Sequence, residues 1–325
     1  IGLFKFPGAA SVGELRVSDI GIPSSVTPDT NIELLTPQSI KPTLPSRPVD
    51  AHKGTFGKLL VIAGSERYLG AAYLACQSAI RSGTGLVTLA IPENLQHMLT
   101  NKLTEVTYLP LPDRNTSSSK DAIEIIIEEA PKYQALLAGC GLGQSQFNKY
   151  LLSHTILSKR FPNMPMVLDA DALNIMSNID QWWLRLRGEA VVTPHLGEMS
   201  KLTGANIDDL TSSRIETATD VSKLWDKTVV LKGAHTVVSS PSGITQISPF
   251  KNPGLASAGT GDVLAGIIAG LMAQGLSTFD AASAGVFMHG ETGERLRHEI
   301  GDTGILASDI LAKLPHTLRH IKEAY

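Results

Sequence analysis

The run Asn252-Pro253-Gly254-Leu255-Ala256-Ser257-Ala258-Gly259-Thr260-Gly261-Asp262-Val263-Leu264-Ala265-Gly266 leads small residues straight into an apolar helical pattern, with a carboxylate at its first turn. Free backbone N–H groups at such a helix start form an anion hole. Gly259 and Gly261, with Thr260 between them, let the backbone close on a phosphate. A carboxylate at the position of Asp262 can take the proton from a hydroxyl that attacks a phosphoryl group. The plainer reading is an acidic residue favoured by the helix dipole. The Ala-Gly-Thr-Gly run before Asp262, and the turn Lys232-Gly233, tip the balance toward an anion loop.

A second group is Thr193-Pro194-His195-Leu196-Gly197-Glu198, which reads as a strand exit entering a helix. Glu198 follows His195 by three residues and shares its helix face, so substrate contact and simple capping are both open. Asp171 is placed to line a pocket and Asp169 to cap the helix that follows. Trp182 and Trp183 are expected to cover the core, and Cys76 and Cys140 to be small buried hydrophobes.

Several chemistries are excluded. Gly54-Thr55-Phe56-Gly57-Lys58 is too short for a Walker loop and continues into Leu59. There is no full Gly-x-Gly-x-x-Gly fingerprint, no Gly-x-Ser-x-Gly elbow, and no second histidine at zinc-helix spacing after His298-Glu299.

Positioning these loops requires a sheet. Apolar runs at 59–63, 86–91, 135–138, 166–168, 190–193 and 228–231 alternate with helical patterns such as 71–82. Such runs predict an α/β fold with a mostly parallel sheet covered by helices on both faces. Residues 236–239 and 244–247 flank Pro241-Ser242-Gly243 and predict an antiparallel hairpin. From Gly261 onward helix predominates, while 116–119 reads as a polar surface loop and 13–20 as a short strand. Ligands of open α/β sheets bind beyond the carboxyl ends of strands, and there the clusters at Gly64, Gly139–Gly143 and Lys232-Gly233 fall. Prolines 23, 28, 37, 42, 45 and 48 predict an extended connector over 24–49 rather than a packed element.

The chain has 325 residues, 28 basic against 31 acidic, a balance that offers no polybasic footprint for nucleic acid or anionic membrane. Two cysteines cannot build a disulfide framework, which favours a reducing, cytoplasmic setting. The longest mostly apolar stretch, from Val263 to Leu276, is too short to span a bilayer. Ile1 opens the chain without a charged-then-apolar leader, so no signal peptide is expected.

Taken in order, several blocks resemble the ribokinase-like NAD(P)H-hydrate dehydratases over about residues 50–320: His52-Lys53-Gly54-Thr55-Phe56-Gly57-Lys58 with Gly64-Ser65 and Gly70-Ala71-Ala72, then Gly141-Leu142-Gly143, Asp169-Ala170-Asp171-Ala172-Leu173, Thr193 to Glu198, Lys232 to Thr236, and the block from Asn252 to Gly266. The final loop is shared with sugar and vitamin kinases; the opening block and Thr-Pro-His-x-Gly-Glu are more specific. Ala258 departs from the family, which more often has glycine there. Residues 1–23 resemble the last segment of an NAD(P)H-hydrate epimerase domain, which precedes the dehydratase in bifunctional members. The resemblance implies a remnant at 1–23, the connector, and a dehydratase domain at 50–325, with no epimerase activity.

It also implies a repair reaction, in which hydrated NADH or NADPH is dehydrated at the expense of ADP or ATP. Asp262 is then the base, and Ala71, Gly143, His195 and Glu198 meet the substrate with it. Lys232, Gly233, Ala234, His235, Thr236, Gly259, Thr260 and Gly261 would hold the nucleotide. Magnesium is expected with the nucleotide, its protein ligands unassigned, and a homo-oligomer, a tetramer in bacterial relatives. The alternatives are a vitamin-precursor kinase of the same fold, which would release a stable phosphorylated product, and a non-catalytic nucleotide-binding module, against which an intact Asp262 argues.

Overall fold

Residues 2–13, 15, 16, 18–23, 26, 30–112 and 118–324 are described in this computed structural model. The apolar runs form one ten-stranded sheet: β1 (Ile32–Leu34), β2 (Lys58–Ile62), β3 (Leu86–Pro92), β4 (Thr107–Leu111), β5 (Ala135–Ala138), β6 (Met166–Leu168), β7 (Ala190–Val192), β8 (Thr228–Leu231), β9 (Val237–Ser239) and β10 (Thr245–Ile247). Their order is β1-β10-β9-β8-β7-β6-β5-β2-β3-β4. From β8 to β4 every pairing is parallel; β9 pairs antiparallel with β8 and β10, forming the expected hairpin.

Alternate residues of the same strands feed two cores. Leu59, Val61, Leu137, Val167, Val191 and Val230 pack under the helices Leu69–Arg81, Thr260–Ala273 and Thr278–Ile300. Leu60, Ile62, Leu136, Leu168, Val192 and Val229 face the opposite layer, where Trp182, Trp225 and Phe161 are buried. Trp182 thus does cover the core, its ring 5.4 Å from that of Trp225.

Small residues seat two of these helices against each other. A Cβ on Gly266 would stand 2.0 Å from Ser78 Oγ and 2.2 Å from the Ala75 carbonyl, and one on Gly270 would stand 2.3 Å from Ser82 Oγ. The helix Thr260–Ala273 therefore lies backbone-close on Leu69–Arg81.

The expectation of an extended connector over 24–49 is corrected for its described part. β1 adds to the sheet edge beside β10, and Thr36 caps a short helix, Pro37–Ile40. Leu35, Ile40 and Leu44 are buried in the first core. Arg47 donates to the Gly83 carbonyl (2.6 Å) and Gln274 Oε1 (2.9 Å) and lies 3.7 Å from the Phe56 ring centroid. Proline fixed the backbone between these apolar anchors without preventing them from packing. β4 was not foreseen: Pro110 breaks the strand pattern, yet proline is tolerated on an edge strand such as this one. Residues 13–20 show no strand among those described, with Glu14 and Val17 outside them. Of the loop read at 116–119, Thr116 and Ser117 lie outside the described residues, and Ser118 opens the helix Ser118–Glu129. No helix among the described residues is long and apolar enough to cross a membrane.

Candidate functional site

After β4 the chain returns to the other side of β2, so β2 and β5 are neighbours whose following connections run in opposite directions. That is the topological switch point, where open sheets leave a crevice. The loops leaving the two strands are joined across it: Gly64 N–H donates to the Cys140 carbonyl (2.9 Å), and Ser65 Oγ to the Gly141 carbonyl (2.7 Å). Gly141 has φ +59° and is so close to the helix Leu69–Arg81 that a Cβ there would meet the Ala71 Cβ at 2.6 Å. Gly143, at φ +78°, donates its N–H to Asp171 Oδ2 (2.7 Å). Asp171 thereby shapes this loop.

The carboxyl ends of β5, β6, β7 and β8 bring Cys140, Asp169, Thr193 and Lys232 together. Asp169 is buried; its Oδ1 accepts from Thr193 Oγ1 (2.6 Å) and Lys232 Nζ (2.7 Å), and Cys140 Sγ is 3.8 Å from Oδ2. The expectation of a capping role is corrected, since no side-chain cap is made on the helix Asp171–Met176. Lys232 Nζ lies 3.9 Å from Glu198 Oε2 and 3.5 Å from where a Gly261 Cβ would be. Burial pulls its ammonium down, but Asp169 and Glu198 outweigh this and hold it above the ordinary lysine value. Lys232 is thus a fixed positive charge under the loop.

Asp262 enters from the opposite side, in the first turn of Thr260–Ala273. Gly259 takes φ +89° at the N-cap, and Thr260 Oγ1 ties the loop by donating toward the carbonyls of Leu255 (2.8 Å) and Ser257 (2.9 Å). Burial, then the negative charge of Asp169, pushes the Asp262 carboxyl up to about 6. Ligand atoms of Cys140, Asp169 and Asp262 all lie within 4.8 Å of one another. A thiol is a poor magnesium ligand and Asp169 is already paired with Lys232, so this trio does not fit a resident magnesium site.

His195 and Glu198 form a reciprocal cap at the start of Leu196–Thr203: His195 Nδ1 accepts from Glu198 N–H (3.2 Å), and Glu198 Oε2 accepts from His195 N–H (2.9 Å). Capping is therefore real, and it leaves the His195 ring 60% exposed at the crevice mouth. Burial and then Lys232 lower its pKa. Glu198 is buried and pushed up to about 7 by desolvation, with Lys232 opposing.

Beyond the loop opens a cavity of about 320 Å³ lined by Lys232, Gly233, Ala234, Thr236, Thr260 and Gly261 with apolar Leu264, Val286 and Phe250. His235 is not on this wall. Its backbone is left-handed at φ +53°, and its ring turns outward onto Phe4. His289, which the sequence reading missed, is in the wall; burial lowers it to about 4, and its Nε2 has no hydrogen-bond partner among the described residues. A larger cavity beside Trp183 and Lys227 opens near the amino-terminal ends of β6, β7 and β8, away from this cluster.

The family model described as NAD(P)H-hydrate dehydratase matches residues 59–316. The chain belongs to that family. Among family relatives, the bifunctional NAD(P)H-hydrate repair enzyme of Moorella thermoacetica is 37% identical over 99% of this chain, which spans 61% of that relative. The ADP-dependent (S)-NAD(P)H-hydrate dehydratase of Bacillus subtilis is 31% identical over 90% of the chain and all of the relative. A crystal structure of the Bacillus subtilis ADP/ATP-dependent dehydratase, co-crystallized with ATP/Mg2+, superposes with a TM-score of 0.77 at 30% identity, covering 90% of this chain and 99% of that one. Hydroxyethylthiazole kinase from Pyrococcus horikoshii, at 14% identity and a TM-score of 0.56, shares the fold alone. The family's ribokinase-like architecture is the one described above.

Proposed function

We propose that this chain dehydrates hydrated NADH or NADPH, consuming ADP or ATP. One observation carries the reading: the half-buried Asp262 carboxylate at the anion loop faces the Lys232–Asp169 pair at the end of the switch-point crevice. The ring hydroxyl gives its proton to Asp262 while its oxygen bonds to the terminal phosphorus of the nucleotide, and AMP or ADP leaves. The ring C–O bond then breaks with phosphate as leaving group, pushed by the ring-nitrogen lone pair, and loss of a proton from the adjacent carbon restores the dihydronicotinamide. A phosphate leaves far more readily than hydroxide, which is why a kinase-like site serves a dehydration.

The N–H groups around Gly259, Thr260 and Gly261, with the Lys232 ammonium, hold the transferring phosphate. Gly233, Ala234 and Thr236 line the nucleotide cavity, with apolar side chains around the base. Ala71 and Gly143 set how closely the substrate approaches, and His195 and Glu198 bound the ring side. Magnesium bound to the nucleotide phosphates would supply charge neutralisation, with the Lys232 ammonium as this chain's own cation beside them. The longer, bifunctional Moorella relative supports reading residues 1–23 as the end of an epimerase-like domain and residues 50–325 as the dehydratase. Two buried free thiols suit a reducing, cytoplasmic setting.

The test is incubation with hydrated NADH, magnesium and either nucleotide, following recovery of dihydronicotinamide absorbance. Recovery with stoichiometric release of phosphate is expected. A stable phosphorylated product without recovery would make the chain a kinase instead.

A further inference from the structure

The wall of the nucleotide cavity is held from outside by the N-terminal segment at two points. The first is His235, whose backbone is left-handed in the turn that presents Gly233, Ala234 and Thr236 to the cavity. A non-glycine residue keeps that conformation only where its surroundings over-determine it. Here the surroundings are the Ser248 carbonyl, 3.0 Å from Nδ1, the Phe4 ring, edge-on at 5.1 Å, and the Phe6 ring at 6.2 Å. The second is Lys251, itself one of the residues lining the cavity, whose ammonium donates to the carbonyls of Ala9 (3.0 Å) and Val12 (2.5 Å). The two points are themselves linked, because His235 N–H donates to the Phe250 carbonyl (2.8 Å). Ala9 is fully buried, and Lys5 pairs with Glu216, so the segment is anchored at these points as well.

We propose that residues 2–12 clamp the nucleotide-side wall, with Phe4 and Lys251 as positioning residues, so that docking of this segment and nucleotide affinity are thermodynamically linked. The proposal rests on the reading that this cavity takes ADP or ATP. The segment touches no reacting atom. It holds His235 outward and keeps the turn in the one conformation that opens Gly233, Ala234 and Thr236 to the ligand. Linkage is reciprocal, so bound nucleotide must also tighten the segment.

The experiment uses the full chain and calorimetric titration of ADP and of ATP with magnesium. Phe4→Ala and Lys251→Met are expected to weaken nucleotide binding about 5- to 50-fold, the ordinary range for coupled sites. Lys251→Arg, which keeps both hydrogen bonds to carbonyls within reach, is expected to restore it. In turnover assays the nucleotide KM rises while kcat at saturation is kept, and hydrated-NADH affinity is unchanged. Amide exchange across residues 2–12 slows when ADP saturates the wild type. Lys251 also lines the cavity, so Phe4→Ala, whose ring lies outside that wall, decides the clamp, with amide exchange across residues 2–12 as the readout that a direct contact of Lys251 with nucleotide would not move. Wild-type nucleotide affinity in Phe4→Ala, amide exchange across residues 2–12 unmoved by ADP, or an equal loss of substrate and nucleotide affinity, overturns the clamp alone. Failure of the wild type to bind either nucleotide overturns the reading of the cavity and the clamp together.

Discussion

Replacing Asp262 by Asn keeps the side chain's size and removes its charge, and the structure predicts opposite effects on turnover and stability. The folded protein holds this carboxyl at about 6 against an ordinary value of 3.8. A group raised on folding binds its proton more tightly in the native state, so its contribution is most favourable below the unfolded pKa and is lost as pH rises through the folded one. The difference of about 2 units, at 1.36 kcal/mol each, makes the ionised form cost about 3 kcal/mol above pH ~7. Asp262→Asn should therefore raise stability by up to that amount near pH 8, roughly 4 °C in melting temperature for a chain of 325 residues, with the gain vanishing toward pH 4. Turnover should fall by about 10²–10⁴, the range for a positioned general base. In the wild type the acid limb of kcat/KM should lie near pH 6, leaving a rate at pH 5 about a tenth of the plateau. Calorimetric melting across pH 4–8, beside recovery of dihydronicotinamide absorbance, measures all three. A variant with wild-type turnover and a pH-independent melting temperature difference would refute both the catalytic assignment and the electrostatic argument.

Other substitutions separate the remaining parts. Lys232→Met removes the charge that faces the anion loop and leaves Asp169 unpaired, so nucleotide affinity should fall by at least tenfold, about 1.4 kcal/mol, with hydrated-NADH affinity less affected in calorimetric titration. Glu198 ionises near 7, adding negative charge beside an anionic dinucleotide, so substrate binding should weaken as pH rises from 6 to 8; Glu198→Gln should flatten that dependence. Leu35 is 1% exposed, and Leu35→Ala should cost about 2–5 kcal/mol in chemical denaturation, a loss that a true connector would not show.

The sheet was legible because its central strands are buried on both faces, and the apolar runs at 59–63, 135–138 and 228–231 say so without ambiguity. The anion loop was legible because glycine, threonine and aspartate at a helix start carry their chemistry locally. Asp169 was not. Its place in the site depends on β6 lying between β5 and β7, which aligns its loop with Cys140 and Thr193, and no local pattern encodes that adjacency. An acidic residue directly after a buried parallel strand was the available signal. His289 was hidden in the same way, since a helix such as Thr278–Ile300, buried continuously from Ala281 to Gly290, gives no sign of which turn faces a cavity. Segment 30–48 was misread because proline density describes stiffness, while its packing rests on three scattered leucine and isoleucine side chains.

The glycine seam between Leu69–Arg81 and Thr260–Ala273 works as a gauge block. One helix carries Ala71 beside the crevice loop and the other carries Asp262, so the gap between that loop and the proposed base is a machined dimension, fixed by two backbones in contact. Side-chain rotamers cannot take up slack there. Tolerance is accordingly narrow: a methyl added at Gly266, one helical turn from Asp262, would act as a shim whose displacement is rigidly transmitted, and a misplacement of about 1 Å is enough to cost 10²-fold in rate.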